Sequence, residues 1–393
     1  MEAYIVEWLN LLGRWLHMIT GIAWIGASFY FVWLDNHLET PKSQADQDKG
    51  VGGELWAVHG GGFYHAQKYK VSPAQLPENL HWFKWEAYTT WLSGMFMLIL
   101  MYWYGAEIYT IDPNVMALTK PVAIMIGVGV LVLGWVVYDL LCKSSLGKDD
   151  NILAAVLLVF VTVVAFGLTQ VFSGRGAYIH YGAMLGTIMV ANVAMVIMPG
   201  QRAMVANAEK GLPPDPAPGL KAKQRSVHNT YFTLPVLFVM TSNHYAGTYG
   251  SAWNWLVLVL ISLAGALIRV YFVQRHFGRN KPMIVVVALV FLAISAAILA
   301  PKPVETSAVV DDVTAFAIVE QRCASCHAAA PTQPGFSAAP KGVLLDSIEA
   351  MKSQAVAVHQ QTVVSRAMPI GNLTQITEEE RAQLAAWFQS LEK

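Results

Sequence analysis

The chain has 393 residues, 55% hydrophobic and 13% charged, and its 26 Lys and Arg balance 26 Asp and Glu. A soluble globular protein carries about 25% charged residues, so this composition excludes an ordinary soluble fold and points to a membrane protein. Zero net charge gives no bulk attraction for nucleic acid, and no such partner is expected.

Apolar runs of the length that crosses a bilayer, about twenty residues, fall near 8 to 34, 86 to 104, 118 to 141, 151 to 172, 177 to 198, 229 to 246, 250 to 273 and 281 to 300. They predict an all-α fold: a polytopic membrane bundle of eight transmembrane helices over residues 1–300. The first run starts almost at once and is far longer than a signal h-region, so it is expected to stay as an anchor without cleavage. Two stretches between the first two spans carry chemistry. His59-Gly60-Gly61-Gly62-Phe63-Tyr64-His65 packs two imidazoles around three Gly, which suits close backbone approach to a ligand and acid, base or metal-ligand work; the bland reading is an interfacial anchor loop. Lys84-Trp85-Glu86 then brings a carboxylate to the membrane edge. Further along, Asp139, Gln170 and Asn192 suit polar contacts between helices, and Cys142 suits a small buried hydrophobe. The Pro-rich stretch around Pro213 to Pro218 reads as a flexible connection. Arg269, near the inner end of the seventh run, is a candidate anion clamp or a snorkelling side chain.

After the last run, Pro301-Lys302-Pro303 opens a linker over 301–311, and 312–393 forms a compact unit. Cys323-Ala324-Ser325-Cys326-His327 carries two thiols three apart with a His directly after the second. That spacing suits thioether attachment of a c-type haem with His327 under the iron. Zinc would need two further ligands, and the remaining cysteine, Cys142, is distant. Met368, in Arg366-Ala367-Met368-Pro369, is the expected sixth ligand, with Met351 as the substitute. Pro331, Pro334 and Pro340 mark an irregular middle, and Thr377-Glu378-Glu379-Glu380 reads as a capping box opening a helix with Leu384, Trp387 and Phe388 on its apolar face. The segment therefore predicts a small class I-like cytochrome c domain.

Covalent haem attachment takes place outside the bacterial cytoplasm, which puts the C-terminus on the periplasmic side of the inner membrane. Eight spans then put the N-terminus there too. Loop charge agrees independently: the predicted inner loops hold Lys42, Lys49, Lys68, Lys70, Lys84, Lys143, Lys148, Arg202, Lys210, Lys221, Lys223, Arg225, Arg275, Arg279 and Lys281, the outer ones only Arg175 and Lys120. Of the eleven His, His17, His180 and His244 fall toward the outer side and are candidates for a second haem, of b type, or a metal ion; a His inside a span is a functional candidate by default. A stacked pair of haems is disfavoured, since His17 with His37 and His228 with His244 face opposite ways, offset by about 160°. His37, His59, His65, His81, His228 and His276 fall on the inner side.

Four stretches together resemble the membrane-bound urate oxidase family, also called urate hydroxylase, over essentially the whole chain. They are Trp15-Leu16-His17 to Trp33, the His59 to Tyr69 loop, Lys84-Trp85-Glu86-Ala87-Tyr88, and His228-Asn229-Thr230-Tyr231-Phe232-Thr233-Leu234-Pro235 with Ser242-Asn243-His244-Tyr245. The resemblance implies an eight-span domain fused to a cytochrome c. It also implies oxidation of urate to 5-hydroxyisourate in purine catabolism, with electrons leaving through haem c to a respiratory acceptor, a terminal oxidase or soluble cytochrome, and not directly to O2. The family supplies no catalytic residues to carry over. From the residues themselves, a planar purine anion needs a cationic clamp, aromatic surfaces and a base, and the candidates are His59, His65, Glu86, His228 and Arg269. Two other classes stay open: a respiratory subunit oxidising quinol or a metal such as copper, and a transporter or redox-gated sensor. A homo-oligomer also stays open.

Overall fold

The computed structural model describes residues 1–393 except 74, 213–214, 277–278, 301–309, 335 and 392–393. The chain is mostly helical, with several apolar helices. The long ones are α1 (Glu2–His37), α2 (Trp85–Met97, continued by π-helical turns over Leu98–Tyr104) and α3 (Lys120–Lys143), then α4 (Asp150–Thr169) and α5 (Gly174–Asn192, continued by π-helical turns over Val193–Ile197 and by Met198–Glu209). They are followed by α6 (Ala217–Ser242), α7 (Asn254–His276) and α8 (Met283–Ile298). Among the described residues, five segments are long and apolar enough to cross a membrane: Tyr4–His37, Lys120–Lys143, Asp150–Thr169, Gly174–Glu209 and Asn254–Arg275. The remaining predicted runs also lie on helices, with reasons for falling short: α8 is brief, α2 opens on Trp, Tyr and Thr, and the first turns of α6 carry Lys221, Lys223, Arg225 and His228.

The ends are set by local chemistry. Asp149 Oδ1 accepts the Asn151 and Ile152 N–H groups at 2.8 and 3.1 Å to open α4, and Ser173 Oγ accepts the Gly176 N–H at 3.0 Å to open α5. Helix α5 is the core element: Tyr178, His180, Tyr181, Met184, Leu185, Ile188 and Asn192 are all buried. Its neighbour α3 comes close because Gly127 and Gly134 face it; a Cβ on Gly134 would lie 2.4 Å from Met184 Cγ. By contrast α1 leans mainly on α2 and leaves Trp8, Trp15 and Ile22 exposed, as a lipid-facing helix would.

The expectation of an all-α fold needs a correction. Strands β1 (Val51–His59) and β2 (Gly62–Tyr69) pair antiparallel, His59 opposite Gly62 and Trp56 opposite His65. Gly60 and Gly61, at φ +57° and +81°, form the two-residue turn, which needs positive φ at both positions. The Gly cluster serves that turn.

The C-terminal unit has α9 (Asp312–Arg322), α10 (Ala324–His327), α11 (Ile348–Ser353), α12 (Ala355–His359) and α13 (Glu378–Leu391). Ala315, Ile318, Val319, Met351, Val358, Leu384 and Trp387 make its core. The indole N–H of Trp387 donates to Asp312 Oδ1 at 2.9 Å, tying α13 to α9. The capping box forms: Glu380 Oε2 accepts the Thr377 N–H at 2.8 Å and Thr377 Oγ1 the Glu380 N–H at 3.2 Å. The linker residues 301–309 lie outside the described residues. The unit touches the long-helix part at the 105–112 and 246–250 connections: a Cβ on Gly371 would lie 2.6 Å from the Ile108 carbonyl oxygen, and one on Gly250 2.7 Å from that of Ser365.

Candidate functional sites

Cys323 ends α9, and Cys326 and His327 lie on the single turn of α10. Desolvation pushes the Cys323 thiol up to about 12 and raises Cys326 as well. Both therefore rest as neutral thiols, with little thiolate for disulfide exchange. His327 Nδ1–H donates to the Val343 carbonyl at 3.0 Å, which fixes the tautomer and leaves Nε2 with its lone pair, the arrangement a metal-ligating imidazole uses. Arg381 holds the Met368 loop by donating to the carbonyls of Thr362 and, at 3.0 Å, Met368. Met351 is fully buried in the core, where a thioether serves as filler. This donor set would suit a covalent haem, with Cys323 and Cys326 to attach it and His327 and Met368 to hold its iron.

The outer histidines do not gather into one site. His180 is fully buried and engaged at both nitrogens: Nδ1–H donates to the Gly176 carbonyl at 2.8 Å, and Nε2 accepts the Trp103 indole N–H at 3.1 Å. His17 Nδ1 faces the Thr90 carbonyl and Ser93 Oγ, both at 3.0 Å, leaving Nε2 unengaged. His244 is exposed after the end of α6. Among the described residues no three His, Cys, Asp or Glu side chains come together as metal ligands.

The five inner candidates are also spread out. His59 sits exposed at the hairpin tip, and His65 stacks on Trp56 at 4.1 Å while its Nε2 meets Glu54 Oε2 at 2.9 Å. Glu86, at the start of α2, keeps a buried Oε2 without a partner. Arg269 is buried with its guanidinium 3.9 Å from the Phe29 ring centroid and its Nε unpaired. Only His228 belongs to a connected network.

That network joins the C-terminal turns of α3 and α5 to the N-terminal half of α6. Asn192 Nδ2 donates to Tyr138 OH at 3.0 Å and to Asn229 Oδ1 at 2.9 Å, while Asn229 Nδ2 donates to the Met189 carbonyl at 2.9 Å. The same phenol shares a hydrogen bond with His228 Nδ1 at 2.8 Å. Arg225 lies with its guanidinium carbon 4.9 Å from the Tyr138 ring centroid, and its Nη2 donates to Asp139 Oδ1 at 2.8 Å. Sequence reading took Arg225 as a loop charge and did not single out Tyr138. The burial of Arg225 at 4% exposure follows from α6 beginning at Ala217, well before the apolar run.

The fold and these sites define a mostly helical protein with long apolar helices and a C-terminal Cys-x-x-Cys-His unit. The chain belongs to the urate oxidase N-terminal family, whose profile matches residues 3–300. No curated protein and no solved structure matches it.

Proposed function

We propose that the protein crosses the bacterial inner membrane eight times and oxidises urate to 5-hydroxyisourate, sending the electrons through haem c in residues 312–393 to the respiratory chain. The reading is carried by one combination: a urate oxidase N-terminal domain on the same chain as a Cys-x-x-Cys-His turn whose His327 keeps Nε2 free. Topology is supported by the contacts of the C-terminal unit, which fall on the 105–112 and 246–250 connections. Both are outer connections in the eight-span reading, on the side where both termini are placed.

The reaction balances as urate plus water giving 5-hydroxyisourate, two protons and two electrons. Cys323 and Cys326 would hold the haem and His327 and Met368 its iron, and the bound group supplies one-electron acceptance at a raised potential. Arg381 positions the Met368 carbonyl, and Val343 sets the tautomer of His327. Urate, made by cytoplasmic purine breakdown, approaches from the inner side, where Glu86, His228 and Arg269 supply buried polar groups, while His59 and His65 sit on the exposed hairpin. Of the three outer histidines, His180 has both nitrogens engaged, which leaves His17 and His244 to offer a nitrogen to a second haem or metal ion. Anaerobic mixing of purified protein with urate is expected to reduce the c-type haem in the visible spectrum; haem that stays oxidised sinks the assignment.

A further inference from the structure

The geometry points to the Tyr138–Asn192–Arg225–His228 network as the pocket that takes the substrate, a planar heterocyclic oxo-anion; this rests on the urate reading above. Two polar atoms in it are buried without partners, Arg225 Nη1 and Asn192 Oδ1, in residues exposed by 4% and 0%. Unsatisfied buried polar groups are rare, and each calls for an explanation. Here they are of opposite kind. Arg225 Nη1 is a charged donor and Asn192 Oδ1 an acceptor, and His228, tied to Tyr138 through Nδ1, keeps Nε2 for a ligand. An oxo-purine anion offers the matching set: carbonyl and ring-nitrogen acceptors beside ring N–H donors.

The orphan atoms are also pinned. Asn192 cannot swing, because its Nδ2 is shared between Tyr138 and Asn229 at 3.0 and 2.9 Å. Arg225 is held at Nη2 by Asp139, whose other oxygen meets Lys143 Nζ at 2.5 Å. Two cations thus share one carboxylate; the other acid nearby, Asp150, is exposed and accepts from Gln224 Nε2 at 3.3 Å. Such pre-set donors and acceptors make a binding site without reorganisation. The π-helical turns of α5 begin directly after Asn192, and such turns concentrate at functional sites. Access from the inner side is short: Lys143, one turn beyond Asp139, is largely exposed, and the Ser145–Lys148 turn above is latched by Gln224 Nε2 donating to the Gly147 carbonyl at 3.0 Å.

The test uses the haem-loaded full chain in detergent, with the haem reduced by dithionite beforehand so that urate binds without turnover. Calorimetric titration with urate is run on wild type, Arg225→Lys and Asn192→Leu. Arg225→Lys keeps the charge and the Asp139 pair but removes the Nη1 donor. Both variants are expected to bind urate at least tenfold more weakly, with the haem spectrum unchanged. Should Arg225→Lys fail to fold, Asn192→Leu decides. Wild-type affinity in the folded variants overturns the pocket, leaving water on the orphan atoms, while the urate reading stands on wild-type binding. Absence of urate binding by wild type overturns both.

Discussion

Trp103 donates its indole N–H to Nε2 of His180, whose Nδ1–H is already given to Gly176. An imidazole engaged at both nitrogens offers no lone pair to a metal, so the bond makes His180 a packing residue between α2 and α5. His180→Phe is expected to leave every haem band in the visible spectrum in place while orphaning the Trp103 N–H, at a cost of about 1–3 kcal/mol seen as a lower melting temperature. Loss of a haem band would return His180 to the list of ligands.

Gly134 lets α3 lie against Met184, whereas Gly129 on the same helix has nothing within 4 Å of a built Cβ. Gly134→Leu should therefore destabilise the purified protein by roughly 1–3 kcal/mol through overpacking, and Gly129→Leu should not. Equal melting temperatures for the two would contradict the α3–α5 packing.

The proposed haem gives Met368 a ligand's role and leaves Met351 in the core. Replacing Met368 by Ala is expected to lower the haem potential, since the thioether ligand raises it. Met351→Leu, a volume-conserving core change costing less than about 1.5 kcal/mol, should leave the potential alone. Redox titration of the two variants distinguishes them, and the reverse pattern would make Met351 the ligand.

Glu380 should make the C-terminal unit acid-sensitive. Burial acts to raise its carboxyl, but hydrogen bonds from Arg322 and the Thr377 N–H outweigh it and hold the group below its ordinary 4.5. A depressed carboxylate contributes stability that is complete above the unfolded value and is lost as pH falls through the folded one. The protection factors of α13, with the intrinsic pH dependence of amide exchange divided out, should be steady well above pH 4.5 and fall below it, and Glu380→Gln should flatten that dependence. An unchanged slope in Glu380→Gln would place the acid sensitivity elsewhere.

Sequence sufficed where the signal is local. Apolar runs located the long helices, Thr377 and Glu380 announced the α13 cap, and the Cys323 to His327 spacing needs no tertiary knowledge. It fell short where partners come from other helices. Nothing near Asn192 foretells that Tyr138 and Asn229, 54 and 37 residues away, share its amide hydrogens. The glycines at 60 to 62 fit a hairpin turn as well as a ligand loop, and the flanking Trp56, Val58 and Phe63, which share one face of the hairpin, are exposed, so burial gave no alternation to betray strands. Arg225 misled for a related reason: hydropathy marks where a helix becomes apolar, and α6 is helical three turns earlier.

The seating of Gly371 under Ile108, and of Gly250 under Ser365, divides the C-terminal unit into an inward and an outward face. Ser365 and Gly371, at the two ends of the loop that carries Met368, lie against the long-helix part of the chain. A diffusing partner therefore has to dock on the remaining surface. Under the proposed function, a partner docked there could collect charge without first dislodging the unit, and a fixed complex would serve turnover as well as a swinging tether would.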